Sequence, residues 1–464
     1  MKKHILLFAA CLTGLFFNSC KKQDAFLDTK PNQALEIPTS LSDIESLLQN
    51  NDVFNRAVDP ELGEIASDDF DVQDGVFANL DYPLLKNSYT WSKTLYDPIN
   101  YIYVHDWSDP YQMVYYANTV LDDLPAIKII AGQQSQYNQI KGAALFYRSF
   151  AFYNLVQTFA LPYNSATAGS TLGIPLRLTS DINARPPRSN EADCYNQILT
   201  DLKNALPLLP VTPAYKTAPS QPAVNALLAR IYLAMADYPS ALQYANACLA
   251  QFNSLEDYNT LNSPTTSAIS NTYLTEDIYH TGLVSYTLLA TRRNSYIDSA
   301  LYLTYSNNDL RKTKFFTILD GLPQYPRFVG SYDPKNSRYD GLATDEIYLI
   351  KAECLARAGD MQNAMGTLNA LLVNRWKTGT FIPYTATSAD DALTQILLER
   401  RKELLERGLR WTDLRRLNQE SRFAITLTKK VDGVTYTLPP NDPRYAFPIP
   451  YDEITLDNLI QNAR

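Results

Sequence analysis

One internal repeat narrows what this chain can fold into more than any other feature. Ala229, Tyr232, Asp237, Tyr238, Ala241 and Leu249 recur at the same spacing as Ala352, Leu355, Asp360, Met361, Ala364 and Leu372. In each copy the apolar positions keep to one helical face, a helix ends at the aspartate, the chain turns, and a second helix starts with Ala on its packing face. Small residues there let the two helices approach closely. A single pair cannot bury its own apolar face, so at least three must stack to make a continuous core.

Two further segment pairs follow the pattern less closely, 111–124 with 137–159 and 191–208 with 221–236. The unit resembles the tetratricopeptide helix–turn–helix, and about four such pairs are expected within roughly residues 107–375. Between them lie irregular stretches at 161–190, rich in Pro and Gly, at 251–314, polar and rich in Tyr, and at 379–388. Loops of this length in a compact domain usually carry function. Residues 431–445, with Asp432-Gly433 as the turn, read as a short hairpin. No stretch reads as a linker. The expected fold is one mostly helical domain over residues 20–464, with long loop insertions and a few short strands.

Composition excludes several functions. A net charge of −8 argues against a nucleic-acid binder, which needs a basic surface to displace counterions. No phosphate loop, nucleophile elbow or zinc helix motif occurs. Past the leader only His105 and His280 remain, read as structural with no partner apparent nearby. Cys194, Cys248 and Cys354 lack the spacing of a metal or redox motif, and Cys248 and Cys354 are expected as buried thiols. No cofactor or metal is expected. The acidic run Asp68, Asp69, Asp71, Asp74 could supply a glycosidase pair, but a turn followed by a solvated loop is the simpler reading. Trp91 and Trp107 read as core anchors.

The two ends are more specific. Lys2 and Lys3 precede an apolar stretch at 5–17, and Phe17-Asn18-Ser19-Cys20 follows. This reads as a lipoprotein signal over residues 1–19 with Cys20 as the lipid attachment site. Near the other end comes ERRKELLERGLRWTDLRRLN, from Glu399 to Asn418. Arg400 falls in the apolar stripe of Leu393, Leu397 and Leu404, so it needs a carboxylate such as Glu403 or Asp413. The chain closes with Phe447-Pro448-Ile449-Pro450, Glu453-Ile454, Asn458 and Gln461-Asn462.

These three segments, in this order, resemble the SusD/RagB family of outer-membrane nutrient-binding lipoproteins, whose C-terminal signature corresponds to residues 389–464. The resemblance implies a SusD-like fold and a non-catalytic role at the outer membrane. There the chain would bind a glycan or oligosaccharide and deliver it to a TonB-dependent transporter of the SusC type. It makes Glu399, Arg400, Glu403, Trp411 and Asp413 a structural signature, with Arg407 standing where many relatives carry Glu. It places ligand binding on loops matching 71–82 and 273–296. Within those loops Phe77, Tyr82, Tyr286 and Tyr296 could stack on sugars, while Asp71, Asn79 and Arg292 could hydrogen-bond their hydroxyls. The alternatives are a surface glycosidase, uptake of peptides, and a repeat scaffold for protein partners.

Overall fold

The computed structural model describes residues 38–464, apart from 98–102, 263–267, 292, 319–323 and 336. Cys20 and Arg292 therefore lie outside the described residues. Eight of the described helices make the frame. They are α1 (His105–Asp123), α2 (Gln134–Phe159), α3 (Glu191–Ala205), α4 (Gln221–Ala234), α5 (Tyr238–Gln251), α6 (Thr344–Arg357), α7 (Met361–Leu372) and α8 (Ala389–Glu403). Helix α2 packs on α1 and α3, α4 on α5, α5 on α6, and α6 on α7 and α8. Strands among the described residues form only two-stranded antiparallel pairs. From Pro222 to Ala234 every residue of α4 is buried, which is why that helix shows no polar stripe. No helix among the described residues is long and apolar enough to cross a membrane.

The repeat is the same turn made twice. After α4, Ala236 adopts φ 58°, and Asp237 caps α5 by accepting from the Ser240 amide at 3.2 Å. After α6, Gly359 adopts φ 83°, and Asp360 caps α7 by accepting from the Asn363 amide at 3.2 Å. A left-handed residue ends the first helix and a carboxylate opens the second. The pairing expected for 191–208 differs: α3 lies chiefly along α2, not α4. The half-buried-looking Arg148 of α2 explains the preference. Its guanidinium donates to Asp201 on α3 at 2.8 and 2.9 Å and to Asn118 on α1 at 2.9 Å. All three side chains are buried, and such a fork fixes orientation as well as charge.

The C-terminal signature builds a buried ionic network. Arg400, 3% exposed, donates to Asp413 of α9 (Arg410–Leu417) at 2.8 Å. Asp413 also accepts from Arg416, which grips Glu353 at 2.6 and 2.8 Å. Glu403 is not the partner of Arg400. It accepts from Arg311 at 2.8 Å and Arg375 at 2.6 Å, while Glu399 accepts from Arg311 and Lys402. Trp411 is buried against Tyr445 and Phe447, with ring centroids 4.7 and 5.7 Å away. Arg407 is matched by Asp345 at 2.6 Å and stacks on Tyr332 and Tyr339. Gly408 turns the chain at φ 70°, where a Cβ would stand 2.9 Å from Asp340 Oδ1.

The acidic run is not a solvated loop at its start. Arg410 donates to both Asp68 oxygens at 2.7 and 2.9 Å, and Arg401 donates to Asp69 at 2.8 Å. Burial disfavours the Asp68 charge, but Arg410 and Arg401 outweigh it and hold the carboxyl well below the usual range. The tail closes the structure: Gln461 bridges the Ile449 amide and carbonyl at 2.8 Å each, and Asn462 reaches the Phe159 and Phe447 carbonyls at 2.7 Å. The hairpin forms from Leu427–Val431 and Val434–Leu438, with Asp432 and Gly433 both at positive φ. Cys194, Cys248 and Cys354 are buried free thiols.

Candidate functional site

The two loops read from the sequence meet. Phe70–Val72 pairs antiparallel with Ser295–Ile297, and Asp71 stands directly opposite Tyr296. The Tyr296 ring packs edge-on to Tyr325 at 4.7 Å, with the Arg327 guanidinium over both rings at 5.7 and 6.0 Å. Asp71 accepts from the Tyr89 hydroxyl at 3.3 Å and faces the Lys429 ammonium at 3.5 Å. Phe77 rests on Tyr89 with centroids 6.0 Å apart. Asn79 is exposed, and its amide donates to Gly75 O of its own helical turn at 2.8 Å.

Tyr82 and Tyr286 belong to a different place, a cleft of about 500 Å³. Its sides are Tyr82, 41% exposed, and Tyr103, 60% exposed. His105 and Asp109 of α1, with Ser285 and Thr287, supply polar groups. Tyr103 and His105 meet edge to face at 5.0 Å, and His105 Nδ1 lies 3.0 Å from Asp109. Burial pushes the Asp109 carboxyl up, opposed by His105.

Tyr286 is not the open stacking plate its sequence position suggested. It is 7% exposed, its hydroxyl donates to Asp106 at 2.7 Å, and its amide donates to Glu61 at 2.8 Å. Asp106 also accepts from the Glu61 and Leu62 amides at 2.7 and 2.8 Å. Tyr286 is thus the floor of the cleft and a strut of the core. Tyr103, His105 and Asp109 escaped the sequence reading, although an aromatic next to a helix start was the available signal. Trp91 and Trp107 are core residues: Trp91 donates to Ala66 O at 2.8 Å, and Trp107 packs on Phe159 at 4.9 Å.

His280 does have partners, brought from both sides by the fold. It sits buried between Asp277 at 2.6 Å and Asp333 at 3.2 Å. Burial opposes its charge, but the bonds to the two carboxylates prevail and push its pKa up to about 9. Three buried carboxylates, Glu276, Asp345 and Glu403, have oxygens within 4.8 Å of one another, as a metal site would require. Each already holds a guanidinium: Arg375 reaches Glu276 and Glu403, Arg311 reaches Glu403, and Arg407 reaches Asp345. Fixed cations occupy the space and charge that an ion would need.

Comparison with known proteins gives a consistent kinship. The family described as "Starch-binding associating with outer membrane" matches residues 25–233, and the SusD family matches residues 342–464. SusD-like protein P2 of Formosa agariphila is 27% identical over 140 residues, covering 30% of this chain. The match spans a quarter of that relative's length. A SusD superfamily crystal structure from Bacteroides thetaiotaomicron superposes with TM-score 0.72 at 22% identity, covering 92% of this chain and 100% of that one. A laminarin-binding SusD-like protein superposes with TM-score 0.61 at 17% identity, covering 90% and 97%. At such identities the superpositions speak for the fold.

Proposed function

Since the chain belongs to the SusD/RagB family, we propose that it is a cell-surface glycan receptor, held at the outer membrane by a lipid on Cys20. It would bind oligosaccharide without cleaving it and hand it to a TonB-dependent transporter of the SusC type. The family is one of sugar-binding proteins associated with the outer membrane, which supports the placement.

The cleft between Tyr82 and Tyr103 carries the reading. A sugar ring offers an apolar face and a rim of hydroxyls, so it needs aromatic plates with a few polar groups around them. Tyr82 and Tyr103 are exposed plates, and Asp109, Ser285 and Thr287 are within the same cleft. The sheet face around Asp71, Phe77 and Tyr296 is a second aromatic surface, with Asn79 at its exposed margin. Hydrolysis is disfavoured by the state of the acids. Asp68 and Asp69 are spent on Arg401 and Arg410, leaving no such pair free to face a glycosidic bond.

A glycan array with wild type, Tyr82→Ala and Tyr103→Ala tests the binding reading. Each variant should lose about ten- to a hundredfold in affinity with an unchanged melting curve. Wild type that binds no glycan would refute it. Cys20→Ala should release the protein from the membrane fraction, and wild type should copurify with the transporter from detergent-extracted outer membranes.

A further inference from the structure

The cleft does not stop at Tyr103. The same ring borders a second cleft of about 360 Å³, bounded by Trp107, Gln112, Tyr115, Arg177, Asp181 and Glu453 among others. Both clefts run along α1. His105 and Asp109, one turn apart, face the first, while Ser108, Gln112 and Tyr115 form the neighbouring stripe and face the second. Tyr115 is 45% exposed, so each cleft has its own open ring besides the shared Tyr103. From His105 to Tyr115 the helix rises ~15 Å, longer than one sugar ring and suited to several linked ones.

The charges around these clefts have one sign. Asp109 lines the first, Asp181 and Glu453 the second. Among the described lining residues the one guanidinium is Arg177, already committed to Asp457 at 2.7 Å and to the Ala184 carbonyl at 3.1 Å. His105 shares the Asp109 carboxylate. A uronate or sulfated sugar would therefore meet carboxylates with no uncommitted guanidinium or ammonium opposite it, and like charges at close range select against such ligands. Sugar hydroxyls, in contrast, can donate to those carboxylates, and Gln112 offers an exposed amide at the centre of the second stripe.

Resting on the glycan reading above, we infer that the two clefts form one groove for an uncharged oligosaccharide of several units, with Tyr103 stacked between its two halves. Tyr82 and Tyr115 are then the outer plates, one for each end of the chain. Affinity should grow with chain length until both clefts are filled, and the growth should depend on the second cleft alone.

The test uses the mature protein on an array of length-graded neutral glucan, mannan, xylan and galactan oligosaccharides. Length-matched oligouronates and sulfated oligosaccharides are printed beside them, and the best series goes to titration calorimetry. A neutral series should bind best and tighten with length. Tyr115→Ala should weaken the longest member about ten- to a hundredfold and leave the shortest unchanged, while Tyr103→Ala weakens both. Gln112→Ala, on the exposed face, should act in the same direction as Tyr115→Ala and guards against a folding defect in that variant. A best series that is anionic, affinity independent of length, or an unaltered longest ligand in both second-cleft variants overturns the inference while leaving a glycan receptor. Failure of every series to bind overturns the glycan reading with it.

Discussion

Arg375→Leu should be among the most damaging single changes in this chain, and more damaging than Arg400→Leu. Arg375 is fully buried, with its guanidinium 4.1 Å from the Tyr258 ring centroid. It donates to Glu403 at 2.6 Å, to Glu276 at 2.8 and 3.0 Å, and to the Glu256 carbonyl at 2.7 Å. Removing it leaves Glu403 with Arg311 but Glu276 with no cation among the described residues, only Tyr332 and the Glu256 amide. The stranded Glu276 must then take a proton. Holding a carboxyl of unfolded pKa 4.5 neutral costs about 3.4 kcal/mol at pH 7 and under about 1 kcal/mol at pH 5. With the lost stacking, about 3–5 kcal/mol is expected near neutrality. Arg400→Leu strands nothing, because Asp413 keeps Arg416 and Glu346 keeps Arg230, so about 1–3 kcal/mol is expected. Urea denaturation of both variants at pH 7 and pH 5 is the assay. The Arg375→Leu deficit should shrink at pH 5 and exceed that of Arg400→Leu at pH 7. Equal deficits, or one that does not respond to pH, would refute the stranded-carboxylate argument.

Four other outcomes are expected. Tyr286→Ala should destabilise the fold by about 3–5 kcal/mol in urea titrations, whereas Tyr82→Ala should leave stability within about 0.5 kcal/mol. His280 is raised to about 9, so its ion pairs contribute fully below an unfolded pKa near 6.5 and fade as pH rises through 9. Wild type should lose up to about 3 kcal/mol over that interval, and His280→Gln should show a flatter pH profile. Ala236→Gly should be neutral or stabilise by up to about 1 kcal/mol, since φ 58° suits glycine, as Gly359 occupies the equivalent turn. Arg401→Met should raise amide exchange in Phe70–Val72 and Ser295–Ile297 more than in α4, and a uniform rise across the chain would count against a local clamp.

The repeat was legible because both copies obey local rules: helical spacing, a left-handed stop and an aspartate cap. The hairpin was legible for the same reason, through Asp432-Gly433. Arg400 could be read as buried from its stripe, and Asp413 was one of the two partners available nearby. Partners distant in sequence were not legible. Asp106 meets Tyr286, His280 meets Asp333, and Asp68 meets Arg410 only because the frame brings those segments together. Each was misread in the same direction, as a solvated or unpartnered group. The pairing of α3 failed for a related cause, since Arg148 and Asp201 look like ordinary surface charges until three helices enclose them.

The signature and the loop pair are one mechanical unit. Asp69 immediately precedes the strand Phe70–Val72, and Asp298 immediately follows Ser295–Ile297. The Asp298 amide donates to the Asp69 carbonyl at 2.9 Å, closing that end of the two-stranded sheet. Arg401, projecting from the signature helix α8, then spans both side chains, 2.8 Å from Asp69 and 3.6 Å from Asp298. Three-residue strands have too few ladder bonds to hold themselves in water. A guanidinium fixed on a long helix can supply the missing order without filling the surface where a ligand would sit. On this view the charged residues of the C-terminal segment serve binding indirectly. They set the register in which Asp71 faces Tyr296, while the rings and hydroxyls that touch a ligand remain free to differ from one member of the family to the next.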